Sequence, residues 1–265
     1  MTAPTAGLIF VQAGPPAMDP AVLRADMVDG VEHAMDLAAP VAEAMRSVPR
    51  EEFVDDRPYD NRTGERAGTT VLAPATAATL LDALAVEPGD EVLVVGAGVG
   101  YTAAVLAELT DPERVHAVDI TSALVWEARG NLARAGYDAV LVDRRDGADG
   151  LPEYAPFDRI LVEAAAVRPP QALLSQLAPD GRLVMPLGAP PEQRLVAVAA
   201  VDGGPDFEVV EEFEDVRFRP LLVEGEQADG IARNRTERED REFAQSGYFA
   251  PTGWEQDWID WDSQF

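Results

Sequence analysis

The sequence predicts an α/β fold: a twisted, mainly parallel sheet with an antiparallel edge and a helical N-terminal segment. Three observations predict it. Short apolar runs alternate with helix-spaced segments over residues 90–187, the pattern of strands joined by crossover helices. Two further runs, 194–201 and 207–214, follow with no helix between them, which argues for an antiparallel edge. A glycine-rich turn, Gly96-Ala97-Gly98-Val99-Gly100, joins the first run to its helix.

Taken in order, residues 1–20 hold Pro4, Gly14, Pro15, Pro16 and Pro20 and read as a loosely structured arm. Helical spacing runs over 21–46 through Val22, Met27, Val31 and Met35, then Val41, Ala44 and Met45, with a break near Pro40. Residues 49–73 have no clear period and read as an irregular connection. Helix resumes over 74–85, with Pro74 at a start position that tolerates proline. Then come strand 91–95 (EVLVV), helix 101–109, strand 115–119, helix 122–135, strands 139–142 and 159–162, helix 170–177 and strand 182–187. The final two strands are joined through Asp202-Gly203-Gly204.

Three parts are therefore expected. They are the arm, 1–20, a main domain over 21–223, and an acidic extension over 224–265. Within the main domain, 21–85 is the helical and substrate segment and 86–223 the cofactor-binding sheet. The extension holds 11 acidic residues, four arginines, and Trp254, Trp258 and Trp261. It reads either as a tail with a docking end or as a segment packed back on the core.

Charge narrows the chemistry. There are 48 acidic residues against 21 basic ones, a net charge of -27, and every basic residue is arginine. Without lysine there is no Schiff base and no P-loop lysine. Without cysteine there is no thiol nucleophile, disulfide or thiolate zinc site. The two histidines, His33 and His116, lie far apart in the chain and do not suggest a metal site. The acid excess works against nucleic-acid backbones and anionic membranes as partners. Its even spread reads as adaptation to high salt, with an ordinary acidic protein as the alternative. No run approaches the ~20 apolar residues that span a bilayer. Gly7–Val11 is short and lacks a basic flank, so a cytoplasmic protein is expected. Nothing in the sequence points to an oligomeric state.

The glycine turn lets a ligand approach the backbone, ahead of a helix with free N–H groups. A tight turn with no ligand is the alternative. Its spacing is G-x-G-x-G, not the dinucleotide G-x-G-x-x-G. Asp119 ends the second strand and can accept both hydroxyls of a ribose, or it is a solvated strand-end carboxylate. Asp146-Gly147 follows the third strand, placed to accept an adenine amino hydrogen. Three adenosine contacts at successive strand ends form the S-adenosylmethionine pattern, and with it a Rossmann-like methyltransferase fold.

At these residues the chain resembles the protein-L-isoaspartate O-methyltransferase family, from about Arg24 to Leu221. Residues 41–54 (VAEAMRSVPREEFV) resemble its V-P-R-x-x-F-V segment, and 92–101 its cofactor loop. Residues 146–166 (DGADGLPEYAPFDRILVEAAA) resemble D-G-x-x-G … P-[FY]-D-x-I-[IL]-V-x-A-A-A. Residues 169–188 resemble I-P-x-x-L-x-x-Q-L-x-x-G-G-x-L-V-x-P-x-G, and 216–221 (VRFRPL) resemble V-x-F-V-P-L. The resemblance implies methylation of isoaspartyl carboxylates in protein repair, with an isoaspartate-bearing protein or peptide as partner. The implied cofactor residues are Gly96, Ala97, Gly98, Gly100, Asp119, Ile120, Asp146, Gly147 and Glu163. The family's catalytic segment, near P-L-P-I-G-x-G-Q-T-I-S-x-P, corresponds to 62–74. There Gly68, Thr70 and Pro74 align, P-L-P-I-G is lost, and the catalytic Ser falls on Leu72. Thr70 is then the candidate catalytic residue, with Thr69 beside it; alternatively Thr70 caps or packs the next helix. Glu163 replaces the usual Thr, and a carboxylate at the mouth would repel a carboxylate substrate unless Arg66 or Arg168 offsets it. A changed acceptor, or a cofactor-binding homologue without catalysis, is the alternative function.

Overall fold

The computed structural model describes residues 18–201 and 206–222. Nearly all of the expected arm, the 202–204 turn and the 224–265 extension lie outside those residues. Helix α1 (Pro20–Ala34) starts on Asp19, whose side chain accepts the Ala21 N–H at 2.9 Å. Helix α2 (Ala39–Ser47) follows, with Pro40 in its first turn, so the expected break separates two helices. A two-stranded hairpin, β1 (Gly64–Arg66) and β2 (Thr69–Val71), comes next. This corrects the expected irregular connection over 49–73. Three-residue strands joined by Ala67-Gly68 are too short to show a period.

The main sheet is built from β3 (Val92–Val95), β4 (Val115–Asp119), β5 (Leu141–Arg144), β6 (Phe157–Val162), β7 (Leu177–Leu187), β8 (Arg194–Ala200) and β9 (Phe207–Asp215). Its order is β5-β4-β3-β6-β7-β8-β9. The first five strands run parallel, and β7-β8 and β8-β9 pair antiparallel. The parallel sheet and its antiparallel edge are therefore as expected.

Helices α3 (Pro74–Leu84), α4 (Tyr101–Leu109), α5 (Ser122–Ala135) and α6 (Gln171–Ser175) cover the sheet. Strand β3 is buried on both faces. Val92 and Val94 pack with α1–α4, Leu93 and Val95 with α6 and the opposite core, as a period of two requires. Several boundaries move, among them the start of β6, at Phe157 instead of 159. The third strand starts at Leu141 because Gly136 ends α5 at φ 89° and a turn closes from Tyr137 to Val140. Strand β7 starts at Leu177, which pairs with Phe157 and shortens the helix before it.

The chain runs outward from β3 to β5 on one side and from β6 onward on the other. The reversal lies between the carboxyl ends of β3 and β6, where open α/β sheets bind ligands.

Candidate active site

A cavity of about 400 Å³ opens at that reversal, within the range of small-molecule sites, roughly 300–1,000 Å³. Its floor is the glycine turn after β3. Gly96, Gly98 and Gly100 have φ of 93°, 52° and 93°, a region costly for residues with a Cβ. The Gly96 and Ala97 N–H groups both donate to the Val118 carbonyl at 2.9 Å, which ties the turn to β4. A Cβ on Gly100 would stand 3.2 Å from Leu132, so that glycine also lets α5 close on the turn.

Asp119 is the geometric centre of the cofactor side. It is buried, and its carboxylate accepts the Gly98 N–H at 3.1 Å and the Thr121 N–H at 2.9 Å, one on each oxygen. Burial pushes its pKa up, against the pull of those two N–H groups. The Thr121 side chain also bonds this carboxylate, which has about four accepting positions in all and so keeps room to accept from a ribose. Ile120 and Leu124 supply apolar wall beside it, and Gly147 completes that side. A Cβ on Gly147 would fall 2.4 Å from Val95 Cγ1, so only glycine fits. Carboxylate, side-chain-free turn and apolar wall together fit S-adenosylmethionine.

Of the expected residues, Thr70, Gly96, Gly98, Asp119, Ile120, Gly147 and Glu163 line this cavity. Ala97 is buried beneath the turn, and Gly100 caps α4. Asp146 stands one residue behind the wall, where its carboxylate accepts the Ala148 N–H at 2.9 Å.

Glu163 follows β6, and its side chain lies under the Thr102 hydroxyl, which donates to Oε1. Desolvation pushes its pKa up to about 7, with the Asp119 charge adding to the rise and the Thr102 bond opposing it. Arg66 does not offset it: that guanidinium is held by Glu127 at 2.8 Å and Asp55 at 3.0 Å. Arg168 is not in the cavity wall. Burial instead moves the carboxyl's titration up to near neutrality, so that it is only partly ionised there.

The opposite wall is the hairpin, through Gly68, Thr69, Thr70 and Leu72. Thr70 does not cap α3: the Ala75 N–H in the first turn of that helix donates to Asn61 Oδ1 at 3.1 Å. Leu72 is half-buried, and its carbonyl accepts Arg50 Nη2 at 2.6 Å. Arg50 is itself buried, donates Nε to the Pro58 carbonyl at 2.8 Å, and stacks 4.4 Å from the Tyr101 ring centroid. It links the hairpin's end to the first residue of α4. A strap, residues 216–222, closes the remaining side with Arg217, Phe218, Arg219 and Leu221. Sequence reasoning gave Arg50, Thr102 and the strap no role in the site. The V-P-R and V-x-F-V-P-L resemblances mark two of the three segments but not the direction they face.

Fold and site define a class: an S-adenosylmethionine-dependent α/β methyltransferase. The match to one family is direct. The family model "Protein-L-isoaspartate(D-aspartate) O-methyltransferase (PCMT)" covers residues 26–227. A relative from Methylorubrum extorquens named protein-L-isoaspartate O-methyltransferase is 42% identical over 213 residues, 78% of this chain and 91% of that one. Another of that name, from Aeropyrum pernix, is 43% identical over 196 residues, 69% of this chain and 73% of that one. Among solved structures, a putative protein-L-isoaspartate O-methyltransferase from Plasmodium falciparum in complex with S-adenosyl-L-homocysteine superposes with a TM-score of 0.64. It has 21% identity and covers 75% of this chain and 98% of that one, a likeness of fold. The chain belongs to the protein-L-isoaspartate O-methyltransferase family.

Proposed function

We propose that this protein methylates isoaspartyl carboxylates of damaged proteins, with S-adenosylmethionine as methyl donor. The observation that carries the reading is Asp119. It ends β4 beside the sheet's reversal, is held by Gly98 and Thr121, and lines the cavity. When bound, the cofactor supplies a methyl group on a sulfonium, open to in-line displacement by an oxygen nucleophile.

The chain's own residues bind, orient and exclude water. Asp119 accepts the ribose hydroxyls. Gly96 and Gly98 leave room against the backbone, where a Cβ on Gly96 would stand 3.5 Å from Glu163 Cβ. Asp146 sets Gly147 by capping the turn on which it lies. Thr70, with Thr69, offers hydroxyls from the hairpin wall to the acceptor. A substrate carboxylate is already a nucleophile and needs no strong base, so positioning dominates. Glu163, only partly ionised near neutral pH, repels that carboxylate less than a fully charged side chain would. The hydroxyl lost at Leu72 weakens orientation without removing the reaction, and family membership favours this activity over a changed acceptor.

The domain division agrees with this reading in part: 21–85 supplies the hairpin of the acceptor wall, and 86–223 supplies the cofactor floor together with Glu163 and the strap. We also propose a cytoplasmic enzyme working at high salt, where a charge of -27 is screened. The test is radiolabelled methyl transfer to an isoaspartyl peptide and its aspartyl control across a KCl series. Label on the isoaspartyl form alone is expected, rising with salt. No label, or equal label on both, overturns the function; activity highest in dilute buffer overturns the salt reading.

A further inference from the structure

The strap is fixed on both edges. The Ala165 N–H donates to the Arg219 carbonyl and the Leu221 N–H to the Ala165 carbonyl, both at 2.8 Å. Buried Gln193 accepts the Phe218 N–H at 2.7 Å and donates to the Phe218 carbonyl at 3.2 Å. Phe218 packs against the core. Arg217 and Arg219 stand on either side of it, exposed, and both line the cavity.

Neither makes an ion pair among the described residues. Acids outnumber arginines 48 to 21 in this chain, and five of the nine exposed arginines among the described residues reach a carboxylate. Arg62 reaches Asp56, Arg129 reaches Asp143, and Arg194 reaches Glu212 and Asp215. Arg144 and Arg168 also lack one, but they stand outside the cavity wall. Arg219 makes one side-chain bond, Nη1 to the Gly68 carbonyl at 3.3 Å, which aims it across the mouth toward the hairpin. Where the family motif reads V-x-F-V-P-L, this chain has arginine in place of the second valine.

We propose that Arg219 and Arg217 form a clamp for the carboxylates that flank the isoaspartyl residue, making acidic peptides the preferred substrate class. This rests on the proposed function. In dilute buffer a molecule of this net charge repels acidic chains at long range, and a cationic lip reverses the sign where the substrate enters. The planar guanidinium presents donors in a fork that matches carboxylate geometry. The clamp takes flanking carboxylates and leaves the acceptor free, because a guanidinium on the acceptor would hold back the lone pair that attacks.

The test uses the full chain, two isoaspartyl peptides of equal length, one flanked by Asp and Glu and one by Ser and Gly, and the variants Arg219→Val and Arg217→Gln/Arg219→Gln. The wild type should show a KM lower for the acidic peptide by roughly three- to tenfold, the scale of one or two partly exposed ion pairs. The variants should raise the KM for the acidic peptide more than that for the neutral one, so that the ratio of the two falls toward one. Added KCl should shrink the wild-type preference. The clamp is overturned by an equal preference in wild type and variants, by none in the wild type, or by variants more active than wild type; this last would mean the chain's own acidic residues hold the arginines. No transfer by the wild type to either peptide overturns the proposed function and the clamp together; transfer with no variant effect overturns the clamp alone.

Discussion

The two walls of the cavity are built differently. The cofactor side is made at adjacent strand ends: the glycine turn after β3, the carboxylate at the end of β4 and Gly147 after β5. The acceptor side is assembled from remote pieces. A hairpin over residues 64–71, the half-buried Leu72, Glu163 after β6 and a strap at 216–222 meet only in the folded chain. Local geometry constrains the first wall so tightly that few residues can stand there: glycine at φ 93° and at a place 2.4 Å from Val95 Cγ1. The second wall must only present donors and shape, so its residues can change, as Leu72, Glu163 and Arg219 have.

The largest effect should come from the constrained side. Asp119→Ala removes the acceptor for the ribose hydroxyls and releases Gly98 and Thr121. Charge-assisted bonds of this kind contribute roughly 1.5–3 kcal/mol, so S-adenosylmethionine should bind about a hundredfold more weakly by calorimetry. Equal binding by the variant would put the cofactor elsewhere and dissolve the contrast between the walls.

Glu163 tests the acceptor side through pH. Its pKa is raised from 4.5 to about 7 by desolvation, so the folded state favours the protonated form. The associated stability is fully present below about pH 4.5 and is lost as pH rises through 7. Glu163→Gln carries no such titration. Chemical denaturation should show the variant gaining on the wild type between acid and mildly alkaline pH, by roughly 2 kcal/mol after discounting for the open side of the cavity. A difference independent of pH would mean the carboxyl is solvated and charged.

Leu72→Ser should have the smallest effect. A hydroxyl restored beside the acceptor adds one hydrogen bond in a water-poor site, expected to raise kcat for an isoaspartyl peptide up to about tenfold, at a modest loss of stability from the removed apolar side chain. An unchanged kcat would show that Thr69 and Thr70 already fill that role.

By itself the sequence determined the sheet, its antiparallel edge, and the positions of the turn and Asp119. Those depend on period, on steric limits at glycine and on strand ends, all local properties of the chain. Helices 101–109 and 122–135 and strand 115–119 stand where the spacing placed them. The hairpin was not legible, because three-residue strands carry no period. Nor was the state of Glu163, whose raised pKa depends on desolvation and on Asp119 and Thr102, residues 44 and 61 positions away. Arg66 was a plausible counter-charge by composition, yet Glu127 and Asp55 hold it elsewhere. Only the tertiary structure decided which arginine pairs with which acid, that Arg50 joins Leu72 to Tyr101, and that Arg217 and Arg219 face the cavity. Charge pairing and burial act through space between segments the chain keeps far apart, and no local pattern encodes the direction a side chain takes once those segments meet.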